Sequence, residues 1–376
     1  MRFSTRYTPL LLALLLCVFP AACKAEPSGA SQQIVVNVKN KAEQSQQRLK
    51  YHLEQGHDVG HIIHMMQQVK TLGEKGDLTE AEALLDKIHA AFDVLDKTPE
   101  VIPESALFTQ PVEVAIEGYD GDAMEPFISR DGEYLFFNSM DDDNEKDMYY
   151  AKRIGENRFR FQRAFTEINS KEVDGVPAID RQNNFYFIST AHYSLFNKVS
   201  AYQAKFRDGK IEDVRPIKSL SLRKAGWLNM DVEISADGNT LYYSNAYFGD
   251  GAPPTKSFLS YAVRDGDSFK PAADTAEIFK NLNRDEIIYA PAISPDELTI
   301  SYTRLSNRHK LEQALFHTLI ATRSDKNAPF GVPQIIPVIT GFAEAPSISG
   351  DGKKIYFHKK PPGAARFKIY MTQRKD

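Results

Sequence analysis

Three carboxylates, Glu125, Asp231 and Glu233, are the side chains of this sequence best suited to catalysis. Two carboxyls in different surroundings can divide the work of general acid and of base or nucleophile, the chemistry of glycosidic-bond cleavage. Asp174, Trp227, Arg284, Tyr289 and Glu344 belong to the same segments, a mixture of acids, aromatics and one guanidinium that suits a carbohydrate, a cation or a peptide. A second constellation, His57, His61 and His64, has the i, i+4, i+7 spacing that places three imidazoles on one helix face, where they would bind zinc or copper. Gly56 and Gly60 argue against one continuous helix there, so solvated or packed histidines are the plainer expectation. The oxygen-rich run from Asp141 to Asp147 suits calcium in ligand type, but lacks the spacing and turn glycine of an EF-hand. The sequence holds no Gly-x-Ser-x-Gly elbow, no phosphate-cradling glycine loop and no His-Glu-x-x-His.

The elements that would position the carboxylates come from a repeat. Five copies of one pattern read Glu125-Pro-Phe-Ile-Ser-Arg-Asp-Gly132, Val176-Pro-Ala-Ile-Asp-Arg-Gln-Asn183, Asp231-Val-Glu-Ile-Ser-Ala-Asp-Gly238, Ala290-Pro-Ala-Ile-Ser-Pro-Asp-Glu297 and Ala345-Pro-Ser-Ile-Ser-Gly-Asp-Gly352. A fixed period of roughly 55 residues means one supersecondary unit repeated. Each copy reads as a strand, an Asp-Gly type turn, and a second strand rich in aromatic and β-branched residues. A third strand follows, such as Met148–Ala151. A weaker apolar segment, such as Ala164–Ile168 or Pro216–Leu220, is the expected fourth. Four antiparallel strands per unit, repeated radially, make a propeller blade. The fifth unit has three strands, and the segment from Pro111 to Ile116 is expected to supply its fourth and close the ring. The fold class is therefore mainly β, a five-bladed β-propeller over residues 99–376. In such a ring the first strands line a central channel, and alternate residues point into it. Small side chains are expected there, which is why Glu125, Asp231 and Glu233 stand out.

The Pro-x-Ile-Ser-x-Asp-Gly pattern, followed by a strand such as Lys354-Ile-Tyr-Phe357, resembles the WD-like repeat of TolB-type β-propellers, and the copy at Ala345–Phe357 is its cleanest. The resemblance implies a non-catalytic binding or scaffolding module whose partners are envelope proteins, peptidoglycan or another glycan. A glycan-active hydrolase or lyase using Glu125, Asp231 and Glu233 is the alternative. Against it, Asp231 and Glu233 lie two residues apart on one strand. Neither reading requires a cofactor.

Arg2 and Arg6 precede an apolar run, Leu10–Phe19, that ends in Pro20-Ala-Ala-Cys23. A basic start, a short apolar core and small residues make an export signal over residues 1–22, and the run is too short to span a bilayer. The segment resembles a bacterial lipoprotein signal with Cys23 as the acylated residue, and Lys24 after it implies the outer membrane. Cleavage near Ala22 or Ala25 is the competing reading. Both cysteines, Cys17 and Cys23, fall in or beside this leader, so the folded part has no disulfide candidate. Residues 23–40 read as a polar tether, and 41–98 as a small helical unit in which Asp77–Phe92 is strongly amphipathic. A net charge of −4 with 26% charged residues gives no basic field to invite nucleic acid.

Overall fold

The computed structural model describes residues 29–54, 59–97, 102–139, 145–194, 196–249, 254–284, 287–306, 315–361 and 364–375. The chain divides into two compact units, one helical and one, from Ile102 onward, a β-propeller.

The helical unit has three helices, α1 Gly29–Glu54, α2 Gly60–Lys75 and α3 Leu78–Lys97. Helix α1 runs through most of the segment expected as a tether. The reason is a seam of Val38, Ala42, Ser45, Leu49 and His52, buried at alternating spacings of four and three. Helix α3 packs against both others and supplies Ala81, Leu85, Ile88 and Phe92 to their common core. Gly76, at φ +83°, ends α2 with the Gly76 and Asp77 amides returning to the Gly73 and Leu72 carbonyls.

In the propeller, strands β1 Val112–Glu113 and β2 Ala115–Glu117 precede the first blade. Blade 1 is β3 Met124–Ile128, β4 Tyr134–Asn138, β5 Met148–Gly155 and β6 Arg158–Ala164. Blade 2 is β7 Asp174–Ile179, β8 Asn184–Ser189, β9 Ala201–Arg207 and β10 Lys210–Pro216. Blade 3 is β11 Trp227–Ile234, β12 Thr240–Tyr247, β13 Lys256–Asp265 and β14 Ser268–Pro271. Blade 4 is β15 Ile288–Ile293, β16 Thr299–Ser306, β17 Leu315–Thr322 and β18 Gln334–Ile335. Blade 5 is β19 Ala343–Ile348, β20 Lys354–Lys359 and β21 Lys368–Gln373, completed by β1.

Closure uses the expected segment twice. Val112 and Glu113 pair antiparallel with β21, and then Ala115–Glu117 pairs parallel with β6 as a fifth strand on blade 1. One short stretch thus straps the last blade to the first. In blades 1 to 3 the fourth strands end at or before the start of the apolar runs expected to form them, and in blade 4 β18 takes only the first residue of its run, Ile335. Phe165, Ile217, Leu220, Ile278, Phe279, Ile336 and Val338 are instead buried after the outer strands. Their apolarity reports core packing rather than an outer strand.

Each first turn is held by its own serine and aspartate: Ser129, Ser235 and Ser294 hydroxyls donate to Asp131, Asp237 and Asp296 at 2.5–2.6 Å. In the divergent second copy, Asp180 at the serine position replaces both, accepting the Gln182 and Asn184 amides at 2.8 and 2.9 Å. Neighbouring blades are joined by a recurrent arginine. Arg264 donates to the Gly238 carbonyl and the Tyr186 hydroxyl of the preceding blade while lying 4.6 Å over Phe269. Arg323 does the same with the Glu297 carbonyl, Tyr242 and Phe330.

Candidate functional site

The channel site begins with a backbone irregularity shared by four blades. Glu125, Val176, Ala290 and Ala345, each followed by proline, have φ between +48° and +56°. The ladder with the second strand slips at each of them, so each is a β-bulge. Left-handed backbone is costly for a residue with a Cβ and persists only where its surroundings hold it. Here the bulged N–H is taken by a side chain of the preceding blade. Asn138 Oδ1 accepts from Val176 at 3.1 Å, Thr303 Oγ1 from Ala345 at 3.1 Å and His358 Nδ1 from Glu125 at 3.0 Å. The Ala290 amide is taken by the Asp231 carboxylate, which also accepts the Ser244 hydroxyl. Asn138, Ile188, Ser244, Thr303 and His358 occupy the same place in the five second strands. In blade 3 Ser244 bonds Asp231, and Asp231 caps the amide in its place. Asp231 is therefore a strut between blades 3 and 4 as well as a channel acid.

Glu233, two residues further along β11, has other partners. It forms a buried ion pair with Arg130 at 2.7 Å and accepts the Ile293 amide at 3.1 Å. Arg130 comes from blade 1 and also donates to the carbonyls of Ile234, Ile293 and Ile348 on blades 3, 4 and 5. One guanidinium thus spans the axis and ties four inner strands, consistent with its planar fork of donors. The structure does not gather Glu233 with Glu125 and Asp231 at one site.

What does gather near Glu125 is a mixed cluster. Lys146, just before β5, pairs with Glu125 Oε1 at 3.1 Å. Glu125 Oε2 lies near Gly175, where a Cβ would approach it to 3.3 Å, and no hydrogen-bond donor reaches that oxygen. Tyr289 on β15 donates its hydroxyl to Glu344 on β19. Burial, and then the charges of Glu125 and Asp231, push the Glu344 carboxyl up to about 7 against the pull of the Tyr289 bond and Lys146. Burial likewise raises Asp231 to about 6, although Ser244 and the Ala290 amide favour its charged form. His358 is held down to about 4 by burial, so its ring is neutral. The carboxylates of blades 1, 3 and 5 are thus electrostatically coupled, with one lysine beside them.

Trp227, the first residue of β11, packs on Tyr247 and Phe258 with centroids 5.4 and 5.6 Å away. Asp174 is fully buried and accepts the Ser170 amide and hydroxyl at 2.7 and 2.6 Å, a local strut. Arg284 is engaged locally, with the Lys280 carbonyl and Asn281. His57 and Cys23 lie outside the described residues. His61 and His64 are exposed on α2, away from its buried Ile62, Met66 and Val69. Among the described residues no group of three or more His, Cys, Asp or Glu is placed to hold a metal ion.

No family model matches the chain, and no curated protein matches it. Solved structures do match at the level of fold. One titled a glycoside hydrolase has 12% identity and a TM-score of 0.48, covering 72% of this chain and 93% of its own. Zg3597, a family 117 glycoside hydrolase of the marine bacterium Zobellia galactanivorans, has 13% identity and a TM-score of 0.46 over 72% and 92%. TolB from Acinetobacter baumannii has 13% identity and a TM-score of 0.39 over 79% and 71%. At such identities the likeness is one of propeller fold.

Proposed function

We propose that the propeller is a non-catalytic, TolB-like binding module that takes a hydroxyl-rich glycan at the channel end carrying Glu125, Lys146, Tyr289 and Glu344. The observation that carries this reading is the convergence of hydrogen-bonding groups from different blades, Lys146 with Glu125 and Tyr289 with Glu344, in one electrostatically coupled cluster. Carboxylates and an ammonium there match the donors and acceptors of a sugar. Two of the three carboxylates first suited to catalysis are already engaged in holding the ring, Asp231 between blades 3 and 4 and Glu233 on Arg130. Soluble protein starting at Glu26 is expected to bind oligosaccharides on a glycan array, with Glu125→Ala weakening binding at least about tenfold, the loss of one charge-assisted hydrogen bond. Capture of an envelope protein with no glycan binding would replace the ligand class.

One observation favours a second reading. Glu344, raised to about 7, is a carboxyl of the kind that serves as a general acid, and Glu125 on a neighbouring blade pairs with Lys146. Release of reducing ends by the same preparation, lost in Glu344→Gln, would make the protein a hydrolase.

The leader supports a further part of the proposal: export, acylation at Cys23 and anchoring in the periplasmic face of the outer membrane. Cys23→Ser is expected to move the protein from the membrane to the soluble fraction and to abolish palmitate labelling. Labelling that persists in this variant would refute it.

A further inference from the structure

We propose that His358 is the positioning residue of the channel site: its Nδ1 accepts the Glu125 amide, holding Glu125 in its bulge and so setting the carboxylate against Lys146. The inference rests on the reading of this cluster as the functional site. Its starting point is the comparison between blades. Three side chains cap a left-handed amide at the same place, but Asn138 and Thr303 cap Val176 and Ala345, whose side chains carry no charge. His358 caps the one bulged residue that has a carboxylate. In blade 2 the capping place holds Ile188, which accepts nothing, and Asp231 opposite it in blade 3 has no left-handed backbone. Cap and left-handed residue therefore occur together or not at all.

The cap matters to the site because the fit around the carboxylate is close. A Cβ on Gly175 would lie 2.8 Å from Lys146 Cδ and 3.3 Å from Glu125 Oε2, so the pair has little room to shift towards blade 2. His358 is 1% exposed, and water would not replace it as acceptor. Accepting on Nδ1 requires the proton on Nε2, which fixes the tautomer. The groups facing the ring are Glu125 on β3, Glu344 opposite it on β19, Lys146, and the edge-on Phe367 ring at 5.6 Å; opposite it on β21 stands Ile369. Glu125 would favour a protonated ring and Lys146 a neutral one, and burial decides for the neutral acceptor.

Nitrogen-15 NMR of the wild-type imidazole tests the tautomer without any substitution. An unprotonated, hydrogen-bonded Nδ1 with a protonated Nε2 at neutral pH is expected, and the opposite tautomer overturns the inference. His358→Thr and His358→Asn copy the caps of blades 4 and 1, whereas His358→Leu removes the acceptor. The readout is the titration midpoint of Glu344, followed by carbon-13 carboxyl shifts, because Glu125 is the charge that raises it most. Leucine is expected to lower that midpoint by about half a unit or more, and asparagine or threonine to restore it. A folded leucine variant with an unmoved midpoint overturns the proposal, and if leucine does not fold, the wild-type tautomer decides. A midpoint that moves as expected in a protein that binds no glycan upholds the role of His358 and removes the binding reading instead.

Discussion

Replacing Arg130 with alanine is expected to destabilise the propeller by about 3–5 kcal/mol, the usual cost of leaving one partner of a buried ion pair alone. Glu233 is 2% exposed and loses its counter-ion, and the Ile234, Ile293 and Ile348 carbonyls lose a donor at the same time. Glu233→Ala leaves the converse problem, a buried guanidinium without a carboxylate. The double variant Arg130→Met/Glu233→Leu is expected to recover much of the loss, because apolar side chains of similar volume often replace a buried pair at little net cost. Trp227 is the chain's single tryptophan and lies in the propeller, so its fluorescence follows this unit alone during denaturation. Gly350 adds a second, independent test of the packing. A Cβ there would fall 1.7 Å from the Arg130 carbonyl oxygen, so Gly350→Ala must displace the same turn. If the Arg130→Ala midpoint stays close to that of the wild type, the guanidinium is not what ties the inner strands.

This tie was not legible in the sequence, and the reason is distance along the chain. Arg130 and Glu233 meet across 103 residues, and Glu125 meets His358 across 233. Each looked ordinary within its own repeat. The architecture was legible because it rests on local order: a strand, a turn and a strand recur, and Ser129 with Asp131 or Asp180 alone satisfies the turn from within. The placement of Glu125 and Asp231 on the first strands of their blades followed from the same alignment. The alignment also held a signal for His358 that apolar periodicity obscured, since one place in an aromatic strand reads Asn138, Ile188, Ser244, Thr303 and His358. A polar run at one place in a buried strand points to unsatisfied backbone nearby. The outer strands were misplaced for the opposite reason. They are largely exposed, as in Lys210–Pro216, while the apolar residues that attract attention are buried after them.

Glu344→Gln is expected to stabilise the protein above pH 7 while weakening its ligand binding. The carboxyl titrates at about 7 in the folded chain against an ordinary value of 4.5. Between those values the folded state holds a proton that the unfolded state releases, so stability falls as pH rises through this window. Below about 4.5 the group costs nothing, and above 7 the full difference is lost, at most about 3 kcal/mol. Glutamine keeps the shape of the neutral acid, can still meet the Tyr289 hydroxyl and has no proton to release. Thermal unfolding should therefore show nearly equal midpoints at pH 4.5 and a gap in favour of glutamine that grows to a plateau above pH 7. Asp231 and His358 titrate nearby in both proteins, and because Asp231 is coupled to Glu344 the gap reports Glu344 together with the relief of its repulsion on that carboxyl. A glutamine variant less stable than wild type at pH 8 would mean that the ionised carboxylate is a structural partner, as Glu233 is. A variant that gains stability and loses glycan affinity together would show a carboxyl kept against the interest of the fold, which is the mark of a site selected for what it binds.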